Sequence, residues 1–243
     1  MNAYMVSFKI KIANKVLEIN ALNELTKKYC QNFLSDEQPD YVITMSEKDI
    51  EEEADNAVDG KYYVNAEISA LYRKIAELLI DDNIVVFHGS SFKVDDSGFI
   101  ITARSGVGKS THSKLLNEYL KDEFMYINDD KPLLEIKDDD IIVHSSPWNG
   151  KERRGNNVSA SLKAILLLNR GIENTYRKIE NKSEIYFKVL SQMYLPREKS
   201  KRERGLKILD TLLKKINFYE INVNISIDSA IMTSERIIKN EIK

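Results

Sequence analysis

Gly98-Phe99-Ile100-Ile101-Thr102-Ala103-Arg104-Ser105-Gly106-Val107-Gly108-Lys109-Ser110 is an apolar run that ends in a glycine turn. It restarts with helical spacing from Thr111 to Leu120. A strand that breaks this way and continues as a helix aims several backbone N–H groups at one anion. At this spacing Lys109 reaches the terminal phosphates of a nucleotide, and the Ser110 hydroxyl can ligate Mg²⁺. Ser105, Gly106, Val107, Gly108, Lys109, Ser110 and Thr111 are the expected nucleotide-binding residues. ATP, or another nucleoside triphosphate, with Mg²⁺ is the expected ligand. Ala103 replaces the usual first glycine, but the inner glycines remain. The plain alternative is a chance glycine turn before a helix. Strand, turn, Lys-Ser and helix together weigh against it.

Upstream, Ile84 to Val94 is apolar and β-branched, and Asp95-Asp96-Ser97-Gly98 is a turn. The phosphate loop is therefore expected on the second strand of a hairpin. Downstream the pattern predicts a strand at Phe124–Ile127 and a hairpin of Pro132–Ile136 with Ile141–Ser145. It predicts further strands at Leu162–Asn169 and Phe218–Val223. Helices are expected over Ser183–Leu195, about Gly205–Lys215 and Asp228–Lys243, the last with Asp228 as N-cap. The charged run Pro196–Arg204 reads as a basic loop or a plain solvated linker. Before residue 83 the spacing predicts strands at Val6–Ile12, Val16–Ile19 and Tyr41–Thr44, and a possible strand at Lys61–Asn65. Helical spacing covers Leu22–Phe33 and Glu67–Leu79, and Glu47–Asn56 reads as a solvated helix or loop. Asp81-Asp82-Asn83 is the candidate boundary. Residues 1–82 should form an α+β lobe, and 83–243 a nucleotide-binding domain.

Three further segments can converge on the loop. Asp129-Asp130 lies just past a short apolar strand, where a metal-binding carboxylate is expected. One carboxylate can hold Mg²⁺ while its neighbour takes a proton from an attacking hydroxyl. The other reading is a polar turn opening the next hairpin. His88, before Gly89, is expected on the strand paired with the loop's strand, facing the γ-phosphate; a packed or surface histidine is the alternative. Ser146–Gly155 reads as a folded-over loop. In it Lys151, Arg153 or Arg154 can neutralise a transferring phosphoryl group, and Trp148 can stack on base or substrate. An exposed basic turn with Trp148 as a core anchor is the competing reading. His112 and His144 are weaker candidates.

The chain has 243 residues, 42% hydrophobic and 30% charged, with a formal net charge of −2. No global basic field is available for nucleic acid or an anionic membrane. A single cysteine, Cys30, excludes an internal disulfide or a cysteine metal cluster. No apolar run approaches a bilayer span and no signal peptide is evident, so a cytoplasmic protein is expected.

The motifs together resemble the catalytic domain of HPr kinase/phosphorylase, in the phosphoenolpyruvate carboxykinase superfamily. The matching segments are Val86-Phe87-His88-Gly89, Gly98 through Ser110, and Asn128-Asp129-Asp130. Pro147-Trp148-Asn149-Gly150-Lys151-Glu152 is similar to a segment of small HPr-kinase-like proteins, some of which phosphorylate a serine of a precursor peptide. The resemblance covers about residues 83 to 240. It implies an α/β P-loop fold with a mixed, largely antiparallel sheet. It implies Lys109 and Ser110 as phosphate and Mg²⁺ ligands, Asp129 as base, Asp130 as metal ligand (roles that can be exchanged) and His88 beside the γ-phosphate. Thr111 stands where HPr kinase has an acidic residue, and the later Glu-x-Arg-Gly-x-Gly signature is absent. Phosphorolysis, and HPr as acceptor, lie outside what the resemblance implies. The expected reaction is phosphoryl transfer to a hydroxyl, of a peptide or protein serine or of a small metabolite. A nucleotide-sensing module without transfer is the rival.

Overall fold

A computed structural model describes residues 5–53 and 60–243, with side chains from residue 64 onward in the second stretch. The chain divides into two compact units, Met1–Leu79 and Ile80–Lys243.

In the first unit, β1 (Val6–Ile12) and β2 (Lys15–Ala21) form an antiparallel hairpin, and β2 pairs in parallel with β3 (Tyr41–Thr44). Ala13 and Asn14 both take positive φ, as a tight two-residue hairpin turn requires. The helices are α1 (Glu24–Tyr29), α2 (Glu47–Glu53) and α3 (Gly60–Leu79). The helix expected from Leu22 starts only at Glu24, where the Asn23 side chain caps it by accepting from the Leu25 N–H. Lys61–Asn65 belongs to α3 and is not a strand; helical apolar spacing continues upstream from Leu71, Ile75 and Leu79 through buried Ala66. Residues 54–56 of the acidic stretch lie outside the described residues.

The second unit carries a nine-stranded mixed sheet. Its strands are β4 (Ile84–Val86), β5 (Ser90–Val94), β6 (Ser97–Thr102), β7 (Phe124–Asn128), β8 (Leu133–Ile136), β9 (Ile141–His144), β10 (Ser159–Arg170), β11 (Thr175–Lys178) and β12 (Asn217–Val223). The spatial order is β4-β8-β9-β10-β6-β5-β7, with β12 also on β10 and β11 on β12. Only the β10–β6 and β10–β12 pairings of this sheet are parallel, so it is largely antiparallel, as expected. β6 and β7 both run antiparallel to β5, so both end at the same edge of the sheet. β10 runs parallel to β6 and ends there too. That shared edge positions the site.

A bulge near Lys163 reverses the alternation of β10. Leu162, Ile165 and Leu167 thereby face one core, and Ala164, Leu166 and Leu168 the other. The first core is covered by α5 (Tyr186–Leu190) and α6 (Lys199–Lys215), and the second by α4 (Lys109–Leu120) and α7 (Ile227–Thr233) with the π turn Ser234–Ile238.

Several expectations are corrected. Much of the charged run Pro196–Arg204 forms the first turns of α6, because Ile208, Leu209 and Leu212 supply a buried stripe that carries polar residues into the helix. Ser183–Leu195 is helical only around α5; Met193 and Tyr194 instead pair back with Phe87 and Val86. The last helix is capped at Ser226, with Asp228 inside its first turn. β11 has no apolar alternation, its residues being exposed, and escaped the sequence pattern. Among the described residues no helix is long and apolar enough to cross a membrane.

Gly89, just before β5, lies close against β6. A Cβ there would sit 2.6 Å from Ile100 Cγ2 and 3.0 Å from the Ile101 carbonyl oxygen. Gly89→Ala is expected to cost about 1–3 kcal/mol, seen as a lower midpoint in denaturant unfolding. An unchanged midpoint would contradict this packing.

Candidate active site

The glycine loop follows β6 and ends at α4, whose N-cap is Gly108. Gly106 and Gly108 have φ of 78° and 124°, and a Cβ on either would meet nothing within 4 Å. The glycines thus serve backbone shape, and they leave an open concavity. No side chain caps the first turn of α4, so its N–H groups remain available to an anion. On the outside of the loop Arg170, at the end of β10, donates from Nε to the Val107 carbonyl (2.9 Å) and from Nη2 to that of Gly106 (2.6 Å). These two bonds tie the carbonyls of the loop's middle to the end of β10. Arg170 is a positioning residue that lies beyond the motif's own spacing.

Lys109 Nζ donates to the Ala103 carbonyl at 3.1 Å, across the mouth of the loop. Burial pulls its ammonium below the ordinary lysine value; nearby Asp130 opposes that and Lys131 adds to it. An anionic ligand would complete its charge pairing.

Asp129 and Asp130 follow β7. The buried Asn128 builds their turn: its Oδ1 accepts from the N–H groups of Asp130 (2.9 Å) and Lys131 (2.7 Å). Its amide Nδ2 donates to the Ser146 carbonyl at 3.0 Å. Asp129 is 8% exposed. It accepts from the Gly150 N–H at 2.5 Å and, weakly, from that of Arg154 at 3.5 Å. Its own N–H donates to Asn149 Oδ1 at 3.3 Å. Asp130 is more open and lies 3.4 Å from His88 Nε2. Burial pushes its carboxyl upward, but His88, Lys131 and Lys109 outweigh this and hold it below the usual carboxylate value. It stays ionised at neutral pH.

His88 is not on a strand paired with β6. It occupies the crossing between β4 and β5, because the Phe87 N–H bonds the Pro132 carbonyl and the Gly89 N–H that of Asp130. Its ring still reaches the site, with Nδ1 2.9 Å from Gln192 Oε1. The Thr102 hydroxyl donates to the His88 carbonyl at 2.8 Å. Gln192 carried no sequence signal.

The Ser146–Gly155 loop is irregular, as expected. Trp148 is 7% exposed and anchors the loop inward, leaving little ring surface for a base. Arg154 approaches the phosphate loop, with Nη1 3.5 Å from the Ser110 carbonyl; it also pairs with Glu152. Lys151 and Arg153 are exposed. Ser105, Ser110 and Thr111 are exposed on the loop and first turn.

His112 and His144 lie outside this cluster. His144 pairs with Glu135 at 2.9 Å. His112 is buried between α4 and α7, its Nε2 3.0 Å from Thr233 Oγ1. Among the described residues no group of three or more His, Cys, Asp or Glu side chains suits a metal ion. A Mg²⁺ site of Ser110, one Asp and phosphate oxygens needs no such cluster.

No protein-family model matches the chain, and no curated protein matches it. Solved structures do. One is the HPr(Ser) kinase/phosphatase from Coxiella burnetii, 12% identical, with a TM-score of 0.39 over 65% of this chain and 90% of that one. A likeness of that size leaves the chemistry of this site to its own geometry.

Burial pushes the His112 imidazolium down to about 4 from 6.5. The unfolded chain therefore takes up this proton first, and the folded state loses stability as pH falls from 6.5 toward about 4. His112→Gln is expected to flatten that part of the stability–pH profile, measured by denaturant unfolding at stepped pH. An identical slope in both proteins would contradict the burial of a neutral ring.

Proposed function

We propose that the chain is an ATP-dependent kinase that transfers the γ-phosphoryl group to a hydroxyl, with a serine of a peptide or protein as acceptor. The observation that carries this reading is the convergence of an open glycine cradle, a part-buried Lys109 and the Asp129–Asp130 pair at one sheet edge. A module that only senses nucleotide needs the cradle but not a second carboxylate beside the first.

The residues fit Mg²⁺ and a nucleoside triphosphate. The loop N–H groups and Lys109 would hold the phosphates, and Ser110 and Asp130 the cation. Bound Mg²⁺ would supply charge neutralisation on the phosphate oxygens. Asp130 suits the cation because it stays ionised beside Lys109. Asp129, fixed by backbone N–H groups, suits the base. The acceptor oxygen would attack the γ-phosphorus as its proton passes to the Asp129 carboxylate. The bond from that phosphorus to the β–γ bridging oxygen would break, and the nucleoside diphosphate would leave with the electron pair. His88 would donate toward the γ-phosphate. Arg154 stands where it can offset charge on the transferring group.

The test follows label from γ-labelled ATP into an extract of the source cells. Wild type should label a polypeptide and Lys109→Ala nothing. Asp129→Asn should bind MgATP within about threefold of wild type while transfer falls by at least about 100-fold, as expected for loss of a general base. Equal transfer by Asp129→Asn would remove Asp129 from the base role. Tight MgATP binding with no label moved by wild type would leave the sensing module as the better reading.

A further inference from the structure

A cleft of about 480 Å³ opens beside the phosphate loop, between its first residues, the end of β10 and α5. Its position relative to the phosphates follows from Lys109. That ammonium takes the terminal phosphates and lies against the Ala103 carbonyl, at the cleft's rim. Gln192, also on the wall, is bonded to His88, whose other nitrogen faces Asp130. Gln192 and His88 thus join the cleft wall to Asp130, the carboxylate that the kinase reading sets beside the γ-phosphate.

Its lining shows what kind of acceptor. Val107, Leu167 and Leu168 give it apolar walls, and Phe187 stands at its side 79% exposed. Three polar side chains on the wall are engaged within the protein, while Arg104 and Lys188 add positive charge to the lining. Asn169 Nδ2 donates to Glu220, Ser191 Oγ to the Lys188 carbonyl and Thr102 Oγ1 to the His88 carbonyl. The apolar walls suit an apolar side chain next to the reacting hydroxyl, and the exposed Phe187 gives that side chain a partner.

Resting on the kinase reading above, we infer that this cleft is the acceptor subsite and takes a polypeptide segment with a large apolar residue close to the phosphorylated serine. Phe187 covers that residue. It is a specificity residue and plays no part in nucleotide binding.

The experiment uses the full chain, γ-labelled MgATP and pools of serine-centred decapeptides, each with one flanking position fixed. Pools with Phe, Leu or Ile fixed near the serine should be labelled several-fold above the polar pools. Phe187→Ala should lower kcat/KM for the best pool about tenfold, with the Kd for MgATP unchanged. Phe187→Leu should restore much of the loss. Uniform labelling of all pools, or an apolar preference that survives Phe187→Ala, would overturn the inference alone. Weaker MgATP binding by Phe187→Ala would overturn it by making the cleft a nucleoside seat. No pool labelled by wild type, with MgATP bound, would overturn the inference together with the peptide-kinase reading beneath it.

Discussion

The buried Ser91 hydroxyl donates to the Asn128 carbonyl and accepts from the Asn128 N–H, both at 3.0 Å. This exchange closes the register shift between β5 and β7 and ends β7 at one residue. With the ladder stopped there, the Asn128 side chain is free to cap the following turn. Asp129 and Asp130 then leave the sheet in opposite environments. Asp129 turns under the Ser146–Gly155 loop and takes its N–H groups; Asp130 turns toward His88 and Lys109. Buried polar groups left unpaired cost more than paired ones contribute. Losing the Ser91 hydroxyl would remove both of these bonds to the Asn128 backbone.

The same edge explains why the glycine loop and the carboxylates meet although a helix and a strand separate them in sequence. β5 lies between β6 and β7 and is antiparallel to both. Loop and carboxylates consequently emerge two strands apart on one side, and His88 arrives from the crossing that precedes β5. Arg170 reaches the loop from the other neighbour, β10. The site is assembled from the ends of strands whose cores are packed on both faces, so its groups are held by the most buried part of the unit.

Local chemistry made part of this legible in the sequence. The Gly-Val-Gly-Lys-Ser turn, the Asp95–Gly98 hairpin turn and the apolar run of β10 each carry their own short-range signal, and the hairpin-borne loop followed from them. Long-range pairing carried no such signal. Ile84 to Val94 reads as one apolar strand, yet it breaks at Phe87–Gly89 because Pro132, Gln192 and Asp130 capture its backbone. Gln192 and Arg170 enter the site from distant elements and belong to no spacing pattern. The polar start of α6 looked like a linker because its helix is set by the buried stripe that follows. Trp148 had a stacking and an anchoring reading in the sequence, and burial favours the anchor.

The proposed kinase chemistry requires one triphosphate in the cradle with its terminal phosphate among Lys109, Asp130 and His88. A crystal structure with Mg²⁺ and a non-hydrolysable ATP analogue tests it most directly. The phosphates should lie along the N–H groups of residues 105–111, with the γ-phosphate within hydrogen-bond reach of Lys109 Nζ and the cation on Ser110 Oγ and an Asp130 oxygen. An analogue bound elsewhere, or a γ-phosphate pointing away from the Asp129–Asp130 pair, would contradict it.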